Sequence, residues 1–260
     1  MGGDRRGTPA ATQDTSDKDD WGGKVVLVAG ASRGLGQDVA TRLATQGATV
    51  MMLPRSLEEA AGMGRSSPGG AFGLLSTDLS KPADLMRAIA HILDLGGVDV
   101  LINVAAPLDV QPYTETEATT LERVFQLNVV VPADLSVSLL PRMVDRGWGR
   151  IVNVSSSLPS RQTTAISEAY FASRHALETH TRKLAARLWG TGVTANAYRS
   201  GAFAPGMHVI ERCRRTENRS LHHRVVSYAY DGSGPPGKEA VPLLRLLRGD
   251  QTGKIWAADG

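Results

Sequence analysis

From Trp21 onward the chain alternates short apolar runs with longer segments whose apolar residues recur at helical spacing. Lys24–Ala29 (KVVLVA) is a compact, β-branched run. It leads through glycine-rich turn residues into a helix predicted from about Leu35 to Gln46, with Gly47 as its stop. Ala48–Leu53 predicts a second strand and Ala71–Thr77 a weaker third. Pro82–Leu95 predicts a helix with Ser80 as its N-cap, and Val98–Val104 (VDVLINV) a fourth strand. A long helical region covers Glu117 to Asp145, with a bend expected at Pro132 or Pro141, because proline removes a helix hydrogen bond. Arg150–Ser155 reads as a fifth strand, Ser167–Trp189 as a helix ending before Gly190, and Val193–Arg199 as a sixth strand. Lys238–Arg248 predicts a last helix and Lys254–Ala257 a last short strand.

Most of these strands are continuous apolar runs, the pattern of strands covered on both faces. Repeated β-α-β order then implies a parallel sheet with helices on each side. The predicted fold is a doubly wound, Rossmann-like α/β domain with three αβα layers. The 260 residues suit one such domain, over residues 21–260, better than two. Residues 1–20 hold almost nothing apolar beyond Met1, Ala10 and Ala11, and read as a disordered tail.

Composition changes this picture little. With 42% apolar and 21% charged residues the chain is neither disordered nor fibrous. Its net charge of +3, from 29 basic and 26 acidic residues, is a small imbalance and not a polycation built for nucleic acid. Cys213 is the single cysteine, which excludes a disulfide within the chain and a cysteine-based metal cluster. The tail lacks the apolar stretch of a secretory signal, and no apolar run reaches the roughly 18 residues of a membrane span. The expected location is cytoplasmic, with no membrane partner.

Where the glycines sit matters more than their number. The first strand runs directly into Gly30-Ala31-Ser32-Arg33-Gly34-Leu35-Gly36, which opens the first helix. A dinucleotide pyrophosphate needs a tight turn, backbone clear of Cβ atoms, and helix N–H groups aimed at negative charge. Gly30 suits the turn, Gly34 the close approach, and Gly36 the packing of helix against strand. The spacing is G-x-x-x-G-x-G, not G-x-G-x-x-G. After the second strand comes Leu53-Pro54-Arg55-Ser56, with no acid before Glu58 to bind a ribose 2′-hydroxyl. Arg33 and Arg55 are instead suited to clamp a 2′-phosphate. The reading favours NADP(H) over NAD(H); two solvated loop arginines are the plainer alternative.

Several motifs now stand in order. AGASRGLG occupies the glycine turn, Asp78 lies in STDLS, and VDVLINVAA ends the fourth strand. Asn128 lies in QLNVV, Ser156 in GRIVNVSSS, and Tyr170 and Arg174 precede HALETHTRKLAARLWGTGVTANAYRSG. From about Gly23 to the C-terminus the chain resembles the short-chain dehydrogenase/reductase family. The resemblance implies cofactor contacts from Gly30, Ser32, Arg33, Gly34, Leu35, Gly36, Arg55, Asp78, Leu79, Asn103, Ala105, Tyr170 and Arg174. It also implies a catalytic set of Asn128, Ser156, Tyr170 and Arg174, and association into a homodimer or homotetramer.

The chemistry of these side chains points the same way. Reducing a carbonyl needs a proton donor at the developing alkoxide and a hydrogen bond that polarises the carbonyl. Tyrosine is a good donor but needs a nearby cation to cycle at neutral pH. A cation four residues on shares its helix face. Here that residue is Arg174, where the family has the lysine of YxxxK. Arginine keeps the charge but not the compact ammonium, and effectively never deprotonates. The family's NNAG becomes Asn103-Val104-Ala105-Ala106, and its Pro-Gly after the sixth strand becomes Ser200-Gly201. The expected activity is NADP(H)-dependent interconversion of a ketone and a secondary alcohol, a biosynthetic ketoreductase being one version. The alternatives are a member that binds cofactor or substrate without redox turnover, and one that catalyses a non-redox elimination or cyclisation.

Glu211–Arg224 (ERCRRTENRSLHHR) carries five arginines and two histidines. It falls in the family's variable, substrate-covering segment, about residues 202–235, and reads as a solvated lid rather than a nucleic-acid site. His222-His223 has no partner at metal-ligand spacing, so no metal is expected.

Overall fold

The computed structural model describes residues 21–56, 66–67, 70–105, 118–157, 168–200 and 240–257. Its strands are β1 (Val25–Ala29), β2 (Thr49–Met52), β3 (Ser66–Ser67), β4 (Gly70–Leu74), β5 (Val100–Asn103), β6 (Gly149–Ser156), β7 (Val193–Ser200) and β8 (Ile255–Ala257). Its helices are α1 (Gly34–Thr45), α2 (Pro82–Asp94), α3 (Ala118–Phe125), α4 (Val131–Asp145), α5 (Glu168–Arg187) and α6 (Ala240–Arg248). A π-helical turn, Gln126–Val130, joins α3 to α4.

The two-sided burial predicted from the apolar runs is visible along β1. Val26 and Val28 enter one buried cluster with Leu35, Val39 and Leu43 of α1 and Leu243 and Leu247 of α6. Leu27 and Ala29 enter the other, with Ile89 and Ile92 of α2, Leu135 and Leu139 of α4, and Leu184 of α5. Successive strand residues point to opposite faces, so one apolar run serves two helical layers. Each such side chain taken out of water contributes about 1.5–3 kcal/mol.

The strand order is β3-β4-β2-β1-β5-β6-β7-β8. Every neighbouring pair is parallel except β3 with β4. The fold is a doubly wound αβα sandwich, as its sequence predicted, with one short antiparallel strand added at the edge. That strand, Ser66-Ser67, has no apolar pattern and so left no trace in the hydrophobic periodicity. The order reverses between β1 and β5. In such sheets the ligand crevice opens at the carboxyl ends of the strands flanking that reversal.

Two local expectations change. The N-cap of α2 is Lys81, not Ser80, with Pro82 in the first turn. Ser80 is engaged instead by Asp78, whose Oδ1 accepts from the Ser80 N–H at 3.0 Å and its hydroxyl at 2.6 Å. The long helix carries a π turn just before Pro132, which then sits in the first turn of α4, while Pro141 lies inside α4. A π turn inserts one extra residue and is common at functional sites. The combined helix Ala118–Asp145 is long and apolar enough to cross a membrane by length and composition alone. Its polar residues interrupt the apolar run, so the sequence pattern does not show it. Its Asn128, Leu135, Leu139 and Met143 are fully buried against the domain.

The tail 1–20, Ala106, and the segment 202–235 with Cys213, His222 and His223 lie outside the described residues.

Candidate active site

The predicted site residues fall in three groups along the carboxyl edge of the sheet. The first follows β1. Gly30 has φ +93° and Gly34 φ +58°. A Cβ on Gly30 would lie 2.4 Å from the Ala105 backbone nitrogen, so the turn after β1 presses on the chain leaving β5. A Cβ on Gly36 would lie 2.2 Å from the Gly30 carbonyl oxygen. A Cβ on Gly34 would meet nothing within 4 Å. Two of the three glycines are thus closed by protein, and the third borders open space.

The start of α1 is suited to an anion. Its N-cap is Arg33, which makes no side-chain capping bond, and the first turn holds no acid. An arginine has only donors and cannot accept from helix N–H groups. Those groups and the positive end of the helix dipole are therefore directed at whatever lies above Gly34. A pyrophosphate fits that position. Ser32 is half-buried, Arg33 exposed and Leu35 buried beneath the turn.

The second group closes the other side of β1. The Thr77 N–H donates to the Pro54 carbonyl at 2.8 Å, and the Ser76 hydroxyl to that of Arg55 at 3.1 Å. These bonds bring the segment carrying Asp78 and Leu79 beside exposed Arg55. Ser80 hydrogen bonds, opposed by partial burial and helped by Lys81 and Arg55, hold the Asp78 carboxyl below its usual range.

The third group lies at β6 and α5. Tyr170 and Arg174 are one helical turn apart and both buried, at 7% and 4% exposure. The Arg174 guanidinium carbon sits 5.1 Å from the centre of the Tyr170 ring, a cation–π distance. Its Nη1 donates to the Val154 carbonyl of β6 at 2.9 Å, while its buried Nε has no partner. From the π turn, Asn128 Nδ2 donates to the Ser173 hydroxyl at 2.9 Å, and that hydroxyl donates to the Tyr170 carbonyl at 2.7 Å. Asn128 Oδ1 is buried and unpartnered. Asn103 Nδ2 donates to Asn153 Oδ1 at 2.7 Å, and Asn153 Nδ2 to the Thr181 hydroxyl at 2.9 Å. Asn103 Oδ1 also lacks a partner. Buried polar atoms rarely stay unsatisfied, and these three belong to residues of the predicted site, while Trp21 Nε1, Gln46 Oε1 and His180 Nε2 share that state outside it.

The three consecutive serines separate clearly. The Ser155 hydroxyl donates to Glu178 Oε1 at 2.7 Å and the Ser157 hydroxyl to the Ser200 carbonyl at 2.8 Å. Ser156, half-buried between them, ends β6 opposite Ser200. Strand alternation turns it away from the face Ser155 uses.

Residues 24–214 match the family model for short chain dehydrogenase. The chain belongs to the short-chain dehydrogenase/reductase family. It is 33% identical over 244 residues to a short-chain type dehydrogenase/reductase of Picea abies, covering 88% of this chain and 87% of that one. It is 34% identical over 175 residues to the ketoacyl reductase HetN of a Nostoc species, covering 66% of this chain and 60% of that one. A solved structure from Beutenbergia cavernae, named for NAD(P)-dependent gluconate 5-dehydrogenase and holding NADP at low occupancy, matches with TM-score 0.75 and 25% identity. That match covers 92% of this chain and 96% of the other. Membership makes this short-chain dehydrogenase/reductase an oxidoreductase acting on a small molecule with a nicotinamide cofactor.

Glu178, Arg199 and Ser173 were missed in the sequence, and only Ser173 and Glu178 left a trace there. They lie three and eight residues after Tyr170, on its helix face. Glu178 is 4% exposed. Burial alone would raise its pKa, but the hydrogen bonds from Arg199 and Ser155, with the charges of Arg199 and His175, outweigh it and lower the carboxyl below its ordinary value. A depressed folded-state pKa adds stability above the unfolded value, and that stability disappears as pH falls through the folded one. Thermal unfolding of the wild type and Glu178→Gln is therefore expected to differ near neutral pH, and the difference to shrink as pH falls below the ordinary glutamate range of about 4.3 and through the lower folded-state pKa. A difference that persists unchanged to pH 3 would show that the ionised carboxylate is not what stabilises this region.

Proposed function

We propose that this chain is an NADP(H)-dependent oxidoreductase that interconverts a ketone and a secondary alcohol. The observation that carries the reading is the buried Tyr170–Arg174 pair, tied to β6 by Val154 and flanked by Asn128 in the π turn. Gly34 and the start of α1 would hold the pyrophosphate of a nicotinamide cofactor, which would supply the hydride to the carbonyl carbon or accept it from the carbinol carbon. In the reductive direction Tyr170 donates its phenolic proton to the carbonyl oxygen. The Ser156 hydroxyl donates a hydrogen bond to the same oxygen and holds it in register. Arg174 places positive charge against the tyrosine as negative charge develops there. Asn128, with its free Oδ1, orients the donor that returns a proton to Tyr170. Arginine effectively never deprotonates, so Arg174 is assigned the field and not the proton transfer.

The choice of NADP(H) rests on Arg33 and Arg55, on the absence of an acid between Met52 and Ser56, and on the NADP in the Beutenbergia relative. Hydrogen bonds to a charged group contribute about 1.5–3 kcal/mol each. Arg33→Ala and Arg55→Ala are each expected to weaken NADPH binding roughly tenfold or more and to leave NADH binding nearly unchanged. Titration of both cofactors by fluorescence checks this. Equal losses for both would remove the 2′-phosphate assignment.

One observation favours a second reading, in which redox turnover is lost. Arg174 spends Nη1 on the Val154 carbonyl and lies over the tyrosine ring. Activity with NADPH against a panel of ketones, compared between the wild type and Arg174→Lys, separates the two. Turnover by the wild type supports the ketoreductase; turnover gained only by the lysine variant supports the altered enzyme. Assembly as a homodimer or homotetramer belongs to the same proposal. It is supported by Val130, Val137 and Val144, exposed at seven-residue spacing along the long helix.

A further inference from the structure

Two turns beyond Tyr170 and one beyond Arg174, α5 buries a carboxylate that the proposed chemistry does not use. Glu178 accepts from the Ser155 hydroxyl at 2.7 Å on Oε1. It also accepts from Arg199 twice, Nε to Oε1 at 2.7 Å and Nη2 to Oε2 at 2.9 Å. This is a forked guanidinium–carboxylate pair, the geometry that gives such contacts both strength and direction. Its three members come from α5, β6 and β7. Each stands next to something the site needs: Ser155 precedes Ser156, Arg199 precedes Ser200 at the end of β7, and Glu178 shares a helix face with Tyr170 and Arg174.

The strand ends are laced around the same point. The Ser200 hydroxyl donates to the Ser155 carbonyl at 3.2 Å, and the Ser157 N–H donates to the Ser200 carbonyl at 2.9 Å. Without Glu178, α5 would still be tied to β6 by the Arg174–Val154 and Thr181–Asn153 bonds, but its link to Ser155 and Arg199, the residues next to Ser156 and Ser200, would be gone. With it, α5 is joined to β6 at Ser155 as well, one residue before Ser156, and to β7 through Arg199.

We infer that Glu178 is a positioning residue, which through Ser155 and Arg199 fixes the Ser156 hydroxyl relative to Tyr170. The inference rests on the ketoreductase reading above. Exposed salt bridges contribute little to stability, but here the carboxylate is buried and only Arg199, at 38% side-chain exposure, reaches solvent. Arg199 can turn outward when its partner is removed, so replacing Glu178 by an apolar residue of similar length leaves no buried unpaired charge.

The test is Glu178→Met, with Glu178→Gln as the conservative partner, since an amide oxygen in place of Oε1 can still accept from both Ser155 and Arg199 Nε. Displacing a reacting group by about 1 Å costs up to about 10²-fold. Glu178→Met is therefore expected to lower kcat roughly 10- to 100-fold, with NADPH affinity within twofold of wild type. Hydrogen exchange should quicken at the Ser156 and Ser157 amides and stay unchanged in β1 and α1. Glu178→Gln should recover part of kcat and of the protection. If Glu178→Met folds with unchanged kcat, or loses kcat without faster exchange at Ser156 and Ser157, the positioning role is wrong. If Glu178→Met does not fold, Glu178→Gln decides alone: wild-type kcat together with wild-type exchange overturns the role unless the pair Glu178→Gln/Ser155→Ala loses both. If the wild type reduces no ketone with NADPH, the ketoreductase reading fails first and the positioning role goes with it, whatever the exchange shows.

Discussion

Replacing Tyr170 with phenylalanine is expected to lower ketone reduction by roughly 10²–10⁴-fold, the usual contribution of a positioned general acid. The substitution removes one oxygen and leaves the ring, its edge-on contact with Phe171 at 5.7 Å and its place beneath the Arg174 guanidinium. Cofactor affinity should stay within a few-fold and the thermal midpoint should move little. The result that matters is the split: kcat falls while NADPH binding and folding are retained. A Tyr170→Phe enzyme with near wild-type kcat would assign the proton to another group and would falsify the catalytic roles proposed for α5. The companion variant Ser156→Ala should lose less, because it removes a polarising hydrogen bond and not the proton itself.

The second large effect is expected at the glycine turn, where two substitutions that look alike should behave differently. In Gly30→Ala the new Cβ meets the Ala105 backbone nitrogen at 2.4 Å on a residue with φ +93°. Backbone cannot move aside as a side chain can, so β1 and β5 must separate where the sheet reverses order. Overpacking costs about 1–3 kcal/mol and the left-handed conformation about 1–2 more for a residue with a Cβ. Gly30→Ala should therefore lose several kcal/mol of stability in denaturant titration. In Gly34→Ala only the conformational part applies, because nothing lies within 4 Å. Its stability loss should be about 1–2 kcal/mol. Its loss of NADPH affinity should be the greater surprise, at tenfold or more, since the Cβ enters the space assigned to the pyrophosphate. Equal stability losses in the two variants, or full NADPH binding by Gly34→Ala, would remove that assignment.

Much of this protein was legible before any coordinates. Among the described residues, seven of the eight strands and the order of the helices follow from apolar runs and helical spacing. Burial on both faces of a parallel sheet leaves a pattern local enough to read along the chain. The glycine turn was legible for a similar reason, because strand, turn and helix are contiguous and their joint requirement on backbone conformation falls within seven residues. Tyr170 and Arg174 were legible because four residues on a helix is one turn.

What the sequence could not supply is which polar groups from different elements meet. The N-cap position expected at Ser80 falls instead at Lys81, whose side chain makes no capping bond, while Ser80 is held in a turn by Asp78, two residues before it. Nothing in the run of Ser155, Ser156 and Ser157 says that the first faces Glu178 and the third Ser200. Those assignments depend on the register of β6 against β7 and on where α5 lies across them. The π turn that aims Asn128 at Ser173, 45 residues away, is likewise set by packing, since no local rule demands an extra residue there. The sequence by itself determined a doubly wound sheet with a dinucleotide turn and a tyrosine–arginine helix face, because hydrophobic period and glycine placement are properties of neighbouring residues. Only the tertiary structure decided that Glu178 and Arg199 bolt that helix to two strand ends, because residues 21 apart become partners only when strand register and helix position are fixed together.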